Sequence, residues 1–182
     1  ARYIEAEWNG LRLINIYLPN GNPIDTEKFD YKLAWMRRLY THLASLITAR
    51  VPFLVGGDFN VIPANIDCYD PDLWRGDALF HPKTITAFRR LINLGLTDAL
   101  RVFNAAPETY TFWDYQAGAW QKNNGIRIDH LLLSPQAADR LADCVIDRGP
   151  RGGQRFRHGR LPGALQRSRN RLPGLLGSSG QR

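Results

Sequence analysis

The chain has only two cysteines in 182 residues, Cys68 and Cys144. They lie too far apart in sequence to make a metal knuckle or a disulfide framework, and thiols this sparse fit a reducing cytoplasm. No apolar run approaches the ~20 residues that cross a bilayer, so no membrane partner is expected. The opening residues, Ala1 to Glu7, show no basic stretch followed by an apolar one, which argues against a secretory leader. Acidic residues are absent from one region altogether: from Arg148 onward there are nine arginines and no Asp, Glu or Lys. The first 147 residues hold 15 basic and 17 acidic side chains, a net charge of −2. The overall charge of +7 is therefore a property of the tail and gives the rest no nucleic-acid signature.

The remaining composition is that of a folded domain. With 44% hydrophobic, 11% aromatic and 23% charged residues, the chain is neither disordered as a whole nor fibrous. Its length bounds it to one domain or a large piece of one.

Residues 2–18 read as a β-hairpin, with Tyr3 to Trp8 alternating, Asn9-Gly10 as a two-residue turn and Leu11 to Leu18 returning. A loop containing Pro19, Gly21 and Pro23 leads to Asp25 and Thr26 as helix caps. Phe29, Leu33, Met36, Tyr40, Leu43 and Ile47 then recur at helical spacing as far as Ala49. Pro52 to Gly56 is too short for a helix and reads as a buried strand. Residues 63–82 read as loop, Lys83 to Leu94 as a helix stopped by Gly95, and Tyr110 to Trp113 and Ile126 to Leu133 as strands. A short helix and a last strand, Ala142 to Asp147, complete a mixed α/β pattern. Arg148 to Arg182 holds eight of the 16 glycines and shows neither period, so it reads as a disordered or mistranslated tail rather than a basic DNA-binding arm.

The densest chemistry follows the buried strand, in Gly56-Gly57-Asp58-Phe59-Asn60. Residues two apart on an extended chain share a side, so Asp58 and Asn60 can address one ligand. A carboxylate that deprotonates water and an amide that stabilises charge on a phosphate oxygen would suit phosphodiester hydrolysis. An Asx turn after a strand accounts for the same spacing equally well. Asp129 sits in an apolar strand where a carboxylate needs a partner, either Arg127 or a catalytic histidine from elsewhere. Alternation puts Arg127, Asp129 and Leu131 on one face and turns His130 away, making His130 a packing or rim residue. Tyr17 ends a strand where a phenol can reach phosphate, or is a core tyrosine. Phe112-Trp113-Asp114-Tyr115 with Trp120 is a core edge or a stacking pocket.

In order and spacing, five of these segments resemble the exodeoxyribonuclease III family of DNA-repair nucleases, within the endonuclease/exonuclease/phosphatase superfamily. They are Tyr17 to Gly21, Gly57 to Val61, Leu96 to Arg101, Tyr110 to Tyr115 and Arg127 to Asp129. The resemblance covers residues 1–147 and implies part of a DNase I-like four-layer α/β sandwich. It further implies a Mg²⁺-dependent (or Mn²⁺-dependent) monomer that cleaves double-stranded DNA at abasic sites and trims 3′ ends. By motif position Asp58 would position water, Asn60 would bind phosphate, Tyr17 would contact it or the leaving group, and Asp129 would pair with the catalytic histidine. Asp58 and Asn60 would offer the metal weak ligands. Asn20, Phe112, Trp113, Ile126 and Arg127 would face DNA, and Asp67 would be DNA-facing or structural.

Two departures stand beside the matches. The family's early Trp-Asn and Gln-Glu pairs, the latter carrying a metal-binding glutamate, have no counterpart here, so the chain reads as truncated at its N-terminus. The family's closing Ser-Asp-His-x-Pro is also missing. His158 lies between Arg157 and Gly159 with no strand to hold it, and reads as coincidence. The chain is thus expected to be inactive alone. The rival readings are a non-catalytic DNA-binding remnant and a superfamily phosphoesterase of another substrate class.

Overall fold

A computed structural model describes residues 2–147 of the chain. The tail from Arg148 and His158 within it lie outside the described residues. Strands β1 (Tyr3–Trp8) and β2 (Leu11–Tyr17) form the hairpin, with Tyr3 opposite Ile16 and Trp8 opposite Leu11. Asn9 and Gly10 turn it in the left-handed region, at φ 50° and 71°.

Helix α1 (Glu27–Thr48) then carries the chain to β3 (Phe53–Asp58), which lies parallel to β2. After a short helix α2 (Pro71–Trp74) and α3 (Pro82–Ile92) come β4 (Thr97–Asp98) and α4 (Ala99–Phe103). The two-residue strands β5 (Phe112–Trp113) and β6 (Gly125–Ile126) pair with each other, and β7 (Asp129–Leu133) and α5 (Pro135–Ala138) follow. The main sheet runs β1-β2-β3-β7-β4, with β7 antiparallel to both of its neighbours.

One face of this sheet is the core. Ile14, Ile16, Val55 and Leu132 pack beneath Met36, Leu39 and Leu43 of α1 and Phe88 and Leu91 of α3. On the opposite face Leu11, Leu54 and Leu131 gather around Ala99, Leu133 and Ala137. Farther along that face, β1 presents Ile4 and Trp8 to solvent, each 65% exposed.

Several expectations need correction. The buried stripe of α1 is Phe29, Lys32, Met36, Leu39, Leu43 and Leu46. It is rotated from the one read by hydrophobicity because a lysine occupies a core position. Ile126 to Leu133 is two strands: the chain breaks pairing at Arg127 and Ile128, where Arg127 N–H instead donates to the Asp67 carbonyl. Strict alternation therefore does not reach back from Asp129 to Arg127. Residues 142–147 form no strand. The stretch read as loop contains a 3-10 turn, Asn65–Asp67, as well as α2.

Candidate active site

The ends of three neighbouring strands make the site. Tyr17 closes β2 in register with Asp58 at the end of β3, and Asp58 is in register with Asp129 at the start of β7. Registered residues on adjacent strands project to the same side, ~5 Å apart, so a phenol and two carboxylates form one row. The row reaches the surface: Tyr17 is 52% exposed and Asp129 is exposed, while Asp58 between them is half-buried. The chain can pass this point because residue 57 is glycine. At φ 128° a side chain would be strained, and a Cβ there would sit 2.1 Å from the Ile16 carbonyl oxygen.

Beyond Asp58 the chain turns back on itself. Asn60 adopts φ 49°, and its N–H donates to Asp58 Oδ1 at 2.8 Å. This is the Asx turn that the spacing allowed, and it fixes the carboxylate rather than excluding a functional role. The Asn60 carboxamide is held as well, with Nδ2 donating to the Leu18 carbonyl at 2.9 Å and Oδ1 accepting from Asn20 Nδ2 at 3.3 Å. One amide hydrogen of Asn60 is committed to Leu18, leaving the other to give. Its oxygen, shared with Asn20, keeps a second lone pair, so the held carboxamide can still donate through one N–H and accept at one site.

Electrostatics set Asp58 apart. Burial raises its carboxyl to about 6, with the Asn60 N–H opposing, Asp129 adding to the rise and Lys32 countering it. Lys32 is a residue the sequence did not flag. It is fully buried, and its Nζ donates to the carbonyls of Asn20 at 2.8 Å and Asn60 at 2.6 Å. Its position on α1, one residue before the predicted Leu33, was the only available signal, and polarity hid it.

Other expected site residues lie elsewhere. Arg127 is 2% exposed, with its guanidinium turned into the protein. Its Nε donates to Asp67 at 2.6 Å and its Nη1 to Asp98 at 2.8 Å, so its partners are these two acids rather than Asp129. Arg101 also pairs with Asp67, which makes Asp67 structural. Burial alone would raise the Asp67 carboxyl, but Arg127 and then Arg101 hold it below the usual carboxylate range.

His130 packs edge-on against Phe59, as expected of a packing residue. Its Nδ1 lies 3.0 Å from Arg127 Nη1, which can only donate, so Nε2 carries the proton and donates to the Val61 carbonyl at 2.9 Å. Burial and then Arg127 push this imidazole down to about 4, keeping it neutral. Ile126 and Trp113 are buried too, Trp113 against Tyr110 and Trp120, leaving Phe112 half-buried and Asn20 exposed.

Comparison with known proteins decides the family. A model described as the endonuclease/exonuclease/phosphatase family matches residues 2–169. The chain belongs to this family. Within the family its relatives bear the names of the exodeoxyribonuclease III and AP endonuclease branch, as the motifs implied. It is 30% identical over 146 residues to an exodeoxyribonuclease of Bacillus subtilis, covering 80% of this chain and 57% of that protein. It is 32% identical over 151 residues to exodeoxyribonuclease III of Haemophilus influenzae, covering 79% and 57%. Among solved structures it resembles a 3′-5′ exonuclease from Neisseria meningitidis, with TM-score 0.80, 38% identity and coverage of 85% of this chain and 60% of that one. An AP endonuclease from Archaeoglobus fulgidus gives TM-score 0.79, 38% identity and coverage of 84% and 60%. The chain thus spans somewhat over half the length of these relatives.

Members of this family of hydrolases generally depend on a divalent metal. Asp58 and Asp129 are hard oxygen donors of the right kind, but Mg²⁺ asks for a fuller octahedral set. Among the described residues no group of three or more His, Cys, Asp or Glu side chains comes together. Asp58 and Asp129 are the described residues that would hold such an ion, with water and substrate phosphate filling the rest of its octahedron.

Proposed function

We propose that this chain carries the phosphate-gripping part of a DNA-repair phosphodiesterase of the exodeoxyribonuclease III type. Its substrate is duplex DNA with abasic sites or 3′ ends. The observation that carries this reading is the row Tyr17, Asp58 and Asp129, with Asn60 folded back against it. A carboxyl near 6 is mostly ionised at neutral pH yet basic enough to take a proton from water, which suits Asp58 to orient the nucleophile. The uncommitted N–H of Asn60 donates to a phosphate oxygen as charge builds there. Tyr17 supplies a phenol to the phosphate or the leaving oxygen, and Asp129 is the acid that would orient a histidine. Asn20, exposed and bonded to Asn60, would meet the DNA beside this phosphate.

The described residues do not complete the hydrolytic set. Their one histidine near the row, His130, is neutral, buried and spent on Val61. Loss of a general acid or base typically costs ~10²–10⁴-fold in rate. On this reading the described residues grip phosphate but do not by themselves supply the general acid or base that cleavage needs.

A fluorescent duplex with a single abasic site tests both halves. Saturable binding that Asn60→Ala weakens about tenfold, corresponding to ~1.4 kcal/mol, supports the grip. Binding indifferent to Asn60→Ala overturns it. Incubation with Mg²⁺ should leave the strand intact, and clear nicking would show that the chain is catalytically complete.

A further inference from the structure

Lys32 occupies a place where α1 needs only an apolar side chain. It follows Phe29 and precedes Met36 on the buried stripe, and burying an ammonium there carries a desolvation cost that a leucine would not. The cost is offset at two carbonyls, those of Asn20 and Asn60.

These two residues belong to different segments. Asn20 follows β2 and Asn60 follows β3, and their side chains already meet through the Asn20 Nδ2 to Asn60 Oδ1 bond. Lys32 thus closes a triangle whose other corners are the two asparagines. The loop after β2 is shaped around its stem: Gly21 sits at φ 92°, and a Cβ there would lie 2.6 Å from Lys32 Cδ. Asn60 holds a left-handed φ of 49°, a region that asparagine tolerates better than most residues, and its carbonyl is one of the two that Lys32 grips. The same turn directs the Asn60 N–H to Asp58.

We propose that Lys32 is a positioning residue for the phosphate site, holding the Asn20 and Asn60 carbonyls together so that the Asn60 carboxamide and the Asp58 carboxylate keep their places. This rests on the phosphate reading of that site. Lys32 does not touch the substrate; it acts through the turn it fastens, and an error of ~1 Å in a supporting shell is enough to spoil a site of this kind. Burial pushes its amine down to about 7, against the pull of Asp77 and Asp58, which favour the charged form.

The test uses the full chain, labelled with ¹⁵N, and a duplex carrying a tetrahydrofuran abasic analogue. In wild type, slowly exchanging Lys32 ammonium hydrogens with cross-relaxation to Asn20 and Asn60 are expected; a freely exchanging ammonium overturns the proposal. In Lys32→Met the Asn60 carboxamide signals should collapse towards free-rotor values, with duplex affinity about tenfold weaker. Lys32→Arg, which keeps donors in place, should recover most of both. If Lys32→Met lowers only the melting temperature and leaves the Asn60 signals and the affinity native, Lys32 is merely structural and the proposal fails. Asn60→Ala in the Lys32 background separates the two claims. If it binds duplex like wild type, the phosphate reading falls, while the carboxamide signals still decide the role of Lys32.

Discussion

Asp58 and Asp129 stand opposite each other in the antiparallel ladder of β3 and β7, two acids in one registered pair. Burial of Asp58, with the like charge of Asp129 adding a smaller push, raises its carboxyl from 3.8 to about 6. Between these two values the folded chain holds more protons than the unfolded one. Stability conferred on the protonated form is therefore lost as pH climbs through that window, and the charged form is penalised above it. Asp58→Asn keeps an oxygen for the Asn60 N–H and removes the charge. In metal-free buffer it should be more stable than wild type at pH 8, on the order of 1 kcal/mol once partial exposure is allowed for. The advantage should vanish below pH 4, and urea unfolding at the two pH values checks it.

Arg127 is a structural cation in this account. Arg127→Met leaves Asp67 and Asp98 short of a partner in a buried network and should cost about 3–5 kcal/mol. The salt dependence of duplex binding by whatever fraction stays folded should be unchanged, because the guanidinium neutralises no phosphate. Chemical denaturation and binding titrations at two salt concentrations measure both effects.

Gly57 admits the backbone path that delivers Asp58. With a Cβ 2.1 Å from the Ile16 carbonyl oxygen and φ at 128°, Gly57→Ala should destabilise the fold by at least ~2 kcal/mol. A melting curve within a degree of wild type would contradict the described path.

The aromatic motif divides into a buried and an exposed half. Trp113→Ala should cost ~3–5 kcal/mol through the cavity it leaves. Tyr115, 90% exposed, should tolerate alanine within ~0.5 kcal/mol. Thermal unfolding of the two variants distinguishes them.

Sequence made the hairpin, α1, β3 and the Asp58–Asn60 turn legible because each rests on local chemistry: Asn9-Gly10 at the turn, a helical period, and breakers around a short apolar run. The pairing of Tyr17, Asp58 and Asp129 was foreshadowed by motif order, but no spacing states that β3 lies between β2 and β7. Arg127 was misread because alternation was extended through a strand break that Asp67, 60 residues away, imposes. Lys32 was missed for a similar reason. A buried lysine looks like a solvent-facing one until the carbonyls it holds are seen, and these come from loops 12 and 28 residues distant.

Amide chemical-shift mapping of the full chain against an abasic duplex asks most directly whether a phosphate sits on the row. Shifts concentrated at residues 17–20, 58–60 and 129, attenuated by Asn60→Ala, are the predicted result. Shifts confined to the arginine-rich tail, with those residues unmoved at saturating DNA, would contradict it.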